Sequence, residues 1–135
     1  MTMLSFMKSY GVSFIVFTVI ELIWLLVLAN DLYKKEIGYI MKEKANLFPA
    51  LIFMFIFVAG LVFFVIDPAL AKEEWTYALF AGVFYGLVTY ATYTLTNYSN
   101  LEGWPLKVSI IDMIWGVVLG GSVSTISYFI LNQFK

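Results

Sequence analysis

The residues of this chain that offer the most chemistry are two acids inside long apolar stretches. Glu21 and Asp112 each lie within about twenty otherwise apolar residues, the length that crosses a membrane as a helix. A carboxylate at membrane depth costs roughly 2.5–3.5 kcal/mol on insertion scales, so it usually has a partner or a water-filled cavity. Each acid is therefore a candidate for binding a proton or a cation. The alternative is a structural carboxyl that bridges two helices through hydrogen bonds.

Aromatic and polar side chains accompany the acids. Trp24 follows Glu21 by three residues, and Trp115 follows Asp112 by three, so each acid shares a helix face with an indole. Indole N–H groups donate to carboxylates, and aromatic faces attract cations. In the third apolar segment, polar residues recur at steps of three and four, where they either bind the acids and a ligand or join helices to one another. These polar residues are Tyr90, Tyr93 and Asn97.

Glycines recur at four-residue spacing in two of the apolar segments. One pair is Gly82 and Gly86, and the other is Gly116 and Gly120. Such steps let helix backbones approach closely in lipid. We predict that they pack helices within the protomer, with self-association as the alternative.

The composition limits what these residues belong to. Of 135 residues, 62% are hydrophobic and 13% are charged, whereas soluble domains average about 45–50% apolar and about 25% charged residues. Lipid must solvate the excess, which excludes a water-soluble enzyme. The chain has neither Cys nor His, so thiolate, imidazole and the usual zinc chemistry are absent, and we expect no catalytic constellation, metal or cofactor. A net charge of −1 without a basic run argues against nucleic acid as a partner.

Four apolar segments predict an all-α fold, a polytopic membrane protein with a four-transmembrane-helix bundle as a single domain over 1–135. The spans lie at about 11–29, 47–66, 76–97 and 106–131. We expect the Phe- and Val-rich second span to serve mainly as lipid-facing cover, and Trp75 and Trp104 to join the interfacial aromatic belt. Apolar residues at helical spacing over 32–44 indicate an interfacial helix, with a solvated loop as the alternative.

Charge and depth give an orientation and a common site. Four spans place both termini on one side. Five Lys in the first and third loops, against three on the side of the termini, favour a cytoplasmic first loop and non-cytoplasmic termini. Counted from the loop side, Glu21 lies ~13 Å deep and Asp112 ~10 Å deep. We therefore expect both carboxyls in one pocket. The three Lys residues on the side of the termini are Lys8, Lys72 and Lys135.

The chain resembles a family called domain of unknown function 2177, small four-span bacterial membrane proteins. Nearly the whole chain takes part, but the most specific residues lie in the second half: Tyr90-Ala-Thr-Tyr93-Thr-Leu-Thr-Asn97, Leu101-x-x-Trp104-Pro105 and Asp112-Met-x-Trp115-Gly116. The resemblance implies a bacterial cytoplasmic membrane and carries no activity. Two positions depart from the family pattern, since Glu21 and Thr94 stand where Asp is expected. The second departure removes an acid from the supposed cluster.

The leading functional hypothesis is a small transporter or channel subunit whose carboxylate site binds a proton, a small cation or a lipophilic solute. Four spans enclose little volume, so we expect a homo-oligomer, a dimer or larger. One alternative is an intramembrane lipid-modifying enzyme or accessory factor, in which the paired carboxylates do acid–base work. Another is a scaffold that binds a second membrane protein through its polar face.

Overall fold

The computed structural model of the chain describes residues 2–44 and 46–134. Its helices are α1 (Met3–Ile23), α2 (Asn30–Ile37), α3 (Leu47–Leu61), α4 (Asp67–Lys72), α5 (Trp75–Asn100) and α6 (Leu106–Asn132). A π-helical turn over Trp24–Ala29 joins α1 to α2, and a second over Val62–Ile66 joins α3 to α4. Within the described residues, four helical segments, here called rods, are long and apolar enough to cross a membrane. The first rod runs from α1 through α2 and the second from α3 through α4, whereas α5 and α6 are the third and fourth rods. The predicted all-α polytopic bundle is therefore confirmed.

The helix ends follow from local chemistry. The Thr2 hydroxyl caps α1 by accepting a hydrogen bond from the Ser5 amide at 3.0 Å, and the Asn46 side chain caps α3 through the Phe48 amide at 3.2 Å. At the end of α4, Glu73 adopts a left-handed φ of 55° and reverses the chain into α5.

The second rod continues past Pro68 because another helix compensates for the missing amide. Proline has no N–H to give the carbonyl four residues earlier, which here belongs to Phe64. The Tyr77 hydroxyl on α5 donates to that carbonyl at 3.3 Å. The π-helical turn directly before Asp67 takes up the remaining distortion.

The first rod extends beyond the predicted span. Helical backbone continues without interruption to Ile37 and is followed by a 3₁₀ turn over Gly38–Ile40. The amphipathic residues from position 32 thus lie on α2, which continues directly from the first apolar span. Residues 41–44 are irregular.

The second rod supplies much of the core, which corrects its prediction as lipid-facing cover. One of its faces is exposed, as at Phe55 and Phe63, whereas the opposite face is fully buried. The buried face was not predictable from the sequence, because both faces are equally apolar and hydropathy alone does not distinguish core residues from lipid-facing residues. The residues of the buried face are Phe57, Val58, Leu61, Val62, Val65 and Ile66.

The closest contact in the bundle is between α5 and α6. The four glycines lie face to face there: a Cβ on Gly86 would come within 1.8 Å of the Gly116 carbonyl oxygen, and one on Gly120 within 2.1 Å of the Gly82 oxygen. These glycines therefore take part in a helix contact within the protomer. Their backbones touch, which positions α5 and α6 for the polar contacts described next.

Candidate functional site

Asp112 lies inside the bundle on α6, with 2% of its surface exposed. The Tyr33 hydroxyl, from the extension of the first rod, donates a hydrogen bond to its Oδ1 atom. Its Oδ2 atom is buried and has no hydrogen-bond partner in the part of the chain that the structure describes. One oxygen of the carboxyl is therefore hydrogen-bonded, and the other has no hydrogen bond of regular geometry in the described residues.

Glu21 faces the same interior from α1. Its Oε2 atom is buried and has no hydrogen-bond partner among residues 2–44 and 46–134. The Trp115 indole N–H faces this carboxyl without forming a hydrogen bond of regular geometry. The site thus contains a second carboxyl oxygen that no protein donor satisfies.

The two indoles predicted beside the acids meet each other. The rings of Trp24 and Trp115 stack with their centroids 4.4 Å apart and their planes 8° from parallel. The stack joins the π-helical turn after α1 to α6, with each ring one helical turn from the acid of its own segment. An apolar groove of about 300 Å³ lies beside the stack and is lined by Trp24, Ile111, Ile114, Trp115 and Val118.

Tyr90 lies between the acids. Its phenol on α5 is within electrostatic reach of both Glu21 and Asp112 and beside the Trp115 indole. The edges of Phe53 and Phe57 pack against its ring at 6.5 and 6.4 Å. Tyr90 is therefore close enough to both carboxyls to interact with each of them.

The other two predicted residues lie at the rim. Tyr93 is 54% exposed, contacts Asn97, and meets the edge of the Trp104 ring at a centroid distance of 6.1 Å. Its phenol is still within electrostatic reach of Asp112. The fold thus brings Glu21, Asp112 and Tyr90 together and leaves Tyr93 and Asn97 at the edge of the site.

Sequence reasoning missed a buried hydroxyl network beside Asp112. Thr94, which interacts with the Asp112 carboxyl, donates to the Ser109 hydroxyl at 3.1 Å, and Ser109 donates back to the Thr94 carbonyl at 3.2 Å. Trp104, expected in the aromatic belt, is instead 7% exposed, and its indole donates to Ser109 at 3.1 Å. The small residues Thr94 and Ser109 were the available signal, since each lies one turn from a predicted site residue.

Tyr33 was also missed, and the π-helical turn explains why. Twelve residues separate Glu21 from Tyr33, which in an unbroken α-helix places them about 120° apart around the axis. A π-helical turn absorbs one extra residue, which reduces the angle to about 20°. The π-helical turn over Trp24–Ala29 therefore places Tyr33 on the same face of the first rod as Glu21.

The extension that carries Tyr33 is held at two further points. Lys107 forms an ion pair with Glu36 at 3.4 Å, and the Tyr39 hydroxyl donates to the Gly103 carbonyl. Burial raises the pKa of Tyr33, and the adjacent Asp112 carboxyl raises it further. Tyr33 therefore keeps its proton, and remains a donor to Asp112, throughout the physiological pH range.

Removing this hydroxyl tests the contact. Tyr33→Phe removes the phenol that donates to Asp112 Oδ1, so the free energy of unfolding should fall by about 1–3 kcal/mol. Reversible unfolding in mixed micelles measures the change, with the exposed Tyr98→Phe as the matched control. A loss no larger than in the control would show that the hydrogen bond carries no stability.

Among residues 2–44 and 46–134, no group of three or more Asp, Glu, His or Cys side chains is placed to hold a metal ion. Two carboxyls near aromatic rings and hydroxyls instead offer a partial cage for a single positive charge.

Comparison with known proteins adds the family. A family model described as "Predicted membrane protein (DUF2177)" matches residues 6–129. No curated protein and no solved structure matches the chain.

Proposed function

The chain belongs to the DUF2177 family of predicted membrane proteins, and we propose that it is a small transport protein in which Glu21 and Asp112 bind a proton or a small cation. The observation that carries this proposal is the pair of unpartnered buried oxygens, Glu21 Oε2 and Asp112 Oδ2. A purely structural carboxyl would have its oxygens satisfied by donors.

The absence of a counter-charge supports the same conclusion. No Lys forms an ion pair with Glu21 or Asp112 in the described ranges, 2–44 and 46–134, and the Lys107 ammonium at the rim binds Glu36 instead. An unpaired carboxylate in a low-dielectric interior is strongly unfavourable, so each group must take up a proton or a cation. Binding of positive charge is the state that this geometry favours.

Two carboxyls at one site also allow coupling. We propose that the two acids are coupled through Tyr90, which lies within electrostatic reach of both, so that protonation of one would change the proton affinity of the other. A site with two linked protonation steps can exchange a proton for a second cation. Such exchange is the elementary step of a coupled transporter.

The apolar groove extends the proposal to lipophilic solutes. It runs along the Trp24–Trp115 stack between apolar side chains of α6. A lipophilic cation could enter from the bilayer through this groove and place its charge against the indoles and the acids. The groove therefore supports a lateral route to the site.

We further propose that the protein works as a homo-oligomer. The four glycines are occupied in the contact between α5 and α6, so an interface between copies would use other faces of the bundle. One bundle has a filled core, and a pathway between two copies avoids opening it. Counting subunits in bilayers by single-molecule photobleaching checks this, and a strictly monomeric distribution would exclude it.

The orientation remains part of the proposal. We place the protein in the bacterial cytoplasmic membrane with both termini on the non-cytoplasmic side, on the Lys bias described above. Lys135, which counts in that bias, lies outside the described residues. Labelling of Ser5→Cys by an impermeant thiol reagent in intact cells checks the orientation, and protection of this thiol would reverse it.

Infrared difference spectroscopy of the protein in bilayers tests the proposed site directly. Over about pH 4 to 10, the carboxyl C=O band should show a protonation change that spreads over two steps because the acids are coupled. Glu21→Gln and Asp112→Asn should each remove part of the band, whereas Glu36→Gln at the rim should leave it intact. A spectrum without any titrating buried carboxyl would identify the pair as structural.

A further inference from the structure

The helix that carries Tyr33 is attached to the bundle mainly at its beginning. Ala29, directly before α2, is fully buried, whereas none of the eight described residues of α2, Asn30–Ile37, is buried. The segment therefore starts from a fixed point and continues across the surface of the bundle. Elements with few buried apolar contacts open locally at a lower free energy than the core does.

Polar contacts hold α2 and the 3₁₀ turn after it in place. The Tyr33 phenol donates to Asp112 Oδ1. Further along the segment, Glu36 forms its ion pair with Lys107 at 3.4 Å, and the lysine side chain is 58% exposed. An exposed ion pair contributes little to stability. These contacts can therefore close the segment onto the bundle without fixing it there.

The contact at the end of the segment depends on a glycine. The Tyr39 hydroxyl donates to the carbonyl of Gly103, whose φ of 77° is a left-handed conformation that glycine adopts without strain. A Cβ at Gly103 would lie 2.8 Å from the Tyr39 hydroxyl oxygen. Position 103 therefore admits the contact only without a side chain.

The segment lies over the buried hydroxyl network beside Asp112. Trp104 directly follows Gly103, and its indole donates to Ser109 at 3.1 Å. Ser109 is fully buried and lies one turn before Asp112 on α6. Release of α2 and the turn after it would uncover Asp112 Oδ1 and free the loop that holds Trp104 against Ser109.

The π-helical turn over Trp24–Ala29 is the place at which the first rod can bend. π-Bulges are among the few features at which helices kink sharply. This one lies between the first apolar span and α2. A bend there would move α2 away from Asp112 and leave α1 in the bundle.

We infer that α2 is a hinged cover, which opens about this π-helical turn and admits water to Asp112 from the end of the bundle that carries the loop between α5 and α6. In the closed state, Tyr33 donates to Asp112 Oδ1, and in the open state water takes its place. That opening serves the transfer of a proton or cation rests on the proposed function, whereas the cover itself does not.

Thiol accessibility measures the opening, because the chain contains no Cys. The full chain in lipid nanodiscs exposes both sides of the bilayer to a reagent. There, Ser109→Cys should react slowly with the neutral, hydrophilic reagent 2-hydroxyethyl methanethiosulfonate. Tyr33→Phe should raise this rate roughly tenfold or more, because it removes a hydrogen bond to a carboxyl that holds the cover closed.

Matched variants test the other contacts. Glu36→Lys and Lys107→Glu should each raise the labelling rate of Ser109→Cys about threefold. The two changes together should restore the original rate, because they form an ion pair of reversed polarity. A neutral reagent keeps the rate independent of the altered charges themselves.

The glycine contact has its own control. Gly103→Ala should raise the labelling rate of Ser109→Cys, because the added methyl group displaces Tyr39. Gly38→Ala should leave the rate unchanged, since in the described part of the chain nothing lies within 4 Å of a Cβ added at Gly38.

A second thiol distinguishes opening of the cover from general loosening of the bundle. Ser124 is fully buried, and a Cβ on Gly82 would lie 2.6 Å from its hydroxyl, so it marks the contact between α5 and α6. The labelling rate of Ser124→Cys should be the same with and without Tyr33→Phe. If both thiols became equally more reactive, or if Ser109→Cys did not respond to Tyr33→Phe, α2 would not be a cover.

Labelling of Ser109→Cys does not depend on protonation of the acids, so it separates the cover from the proposed site. Labelling as expected without a titrating carboxyl in the infrared spectrum would retain the cover and remove the site. Titration of both carboxyls without any response of the thiol to Tyr33→Phe would retain the site and exclude the cover.

Discussion

Glu21→Gln should reduce proton flux through the reconstituted protein to the level of protein-free vesicles, and Asp112→Asn should reduce it at least roughly tenfold. Gln keeps the size of the Glu side chain but neither takes up a proton nor balances a cation, so the proposed binding step is lost. Asp112→Asn retains the Tyr33 contact with a neutral group and leaves Glu21 as the remaining acid. A pH-sensitive dye trapped in proteoliposomes measures the flux after a pH step, with Na⁺ or K⁺ gradients as separate arms.

The matched control for these variants is Glu102→Gln, which removes an exposed acid at the end of the bundle that carries the site. Its flux should equal that of the unaltered protein. Equal flux in Glu21→Gln, Asp112→Asn and the control would remove the transport proposal. A loss in Asp112→Asn together with reduced thermal stability would instead indicate a structural role for this residue.

Gly86→Ala should destabilise the bundle by about 3 kcal/mol. The added methyl carbon would lie 1.8 Å from the Gly116 carbonyl oxygen and 2.7 Å from its carbonyl carbon. These are backbone atoms, which do not rotate away, so α5 and α6 must separate. Separation would also draw Tyr90 away from the acids, because it lies one turn beyond Gly86. Reversible unfolding in micelles with increasing sodium dodecyl sulfate measures the loss.

Gly11→Ala provides a control of opposite sign. Among the described residues, no atom of a neighbouring element lies within 4 Å of a Cβ added at Gly11. Ala there should stabilise the helix by up to about 1 kcal/mol through its higher helix propensity. If both variants changed stability equally, the contact between α5 and α6 would not depend on the absence of side chains at Gly86.

The membrane-spanning architecture and the choice of acids were predictable from the sequence. Hydropathy runs of membrane length leave few solutions besides a helical bundle, and an acid inside such a run is conspicuous. Counting residues along straight helices predicted similar depths for Glu21 and Asp112. Counting also placed the indoles on the faces of the acids, although only the fold showed that Trp24 and Trp115 stack on each other.

Other features could not be predicted by counting residues along the helices. Thr94 attracted notice only as a departure from the family pattern, whereas the structure places it beside Asp112 and in a hydrogen bond with Ser109. The expected acid would thus have stood next to Asp112. The second rod was misjudged for a related reason: in lipid, an apolar residue is equally suited to the core and to the surface, so periodicity carries no signal.

The sequence by itself determined that this is a four-span helical membrane protein with two acids inside its apolar spans, because transfer energies and helix rise depend only on residue type and position. Only the tertiary structure decided which donors meet those acids. A π-helical turn that local propensity does not reveal rotates Tyr33 onto Asp112, and the contact between glycine backbones sets how closely α5 approaches α6. Both depend on contacts between distant segments, which no pattern within a single segment encodes.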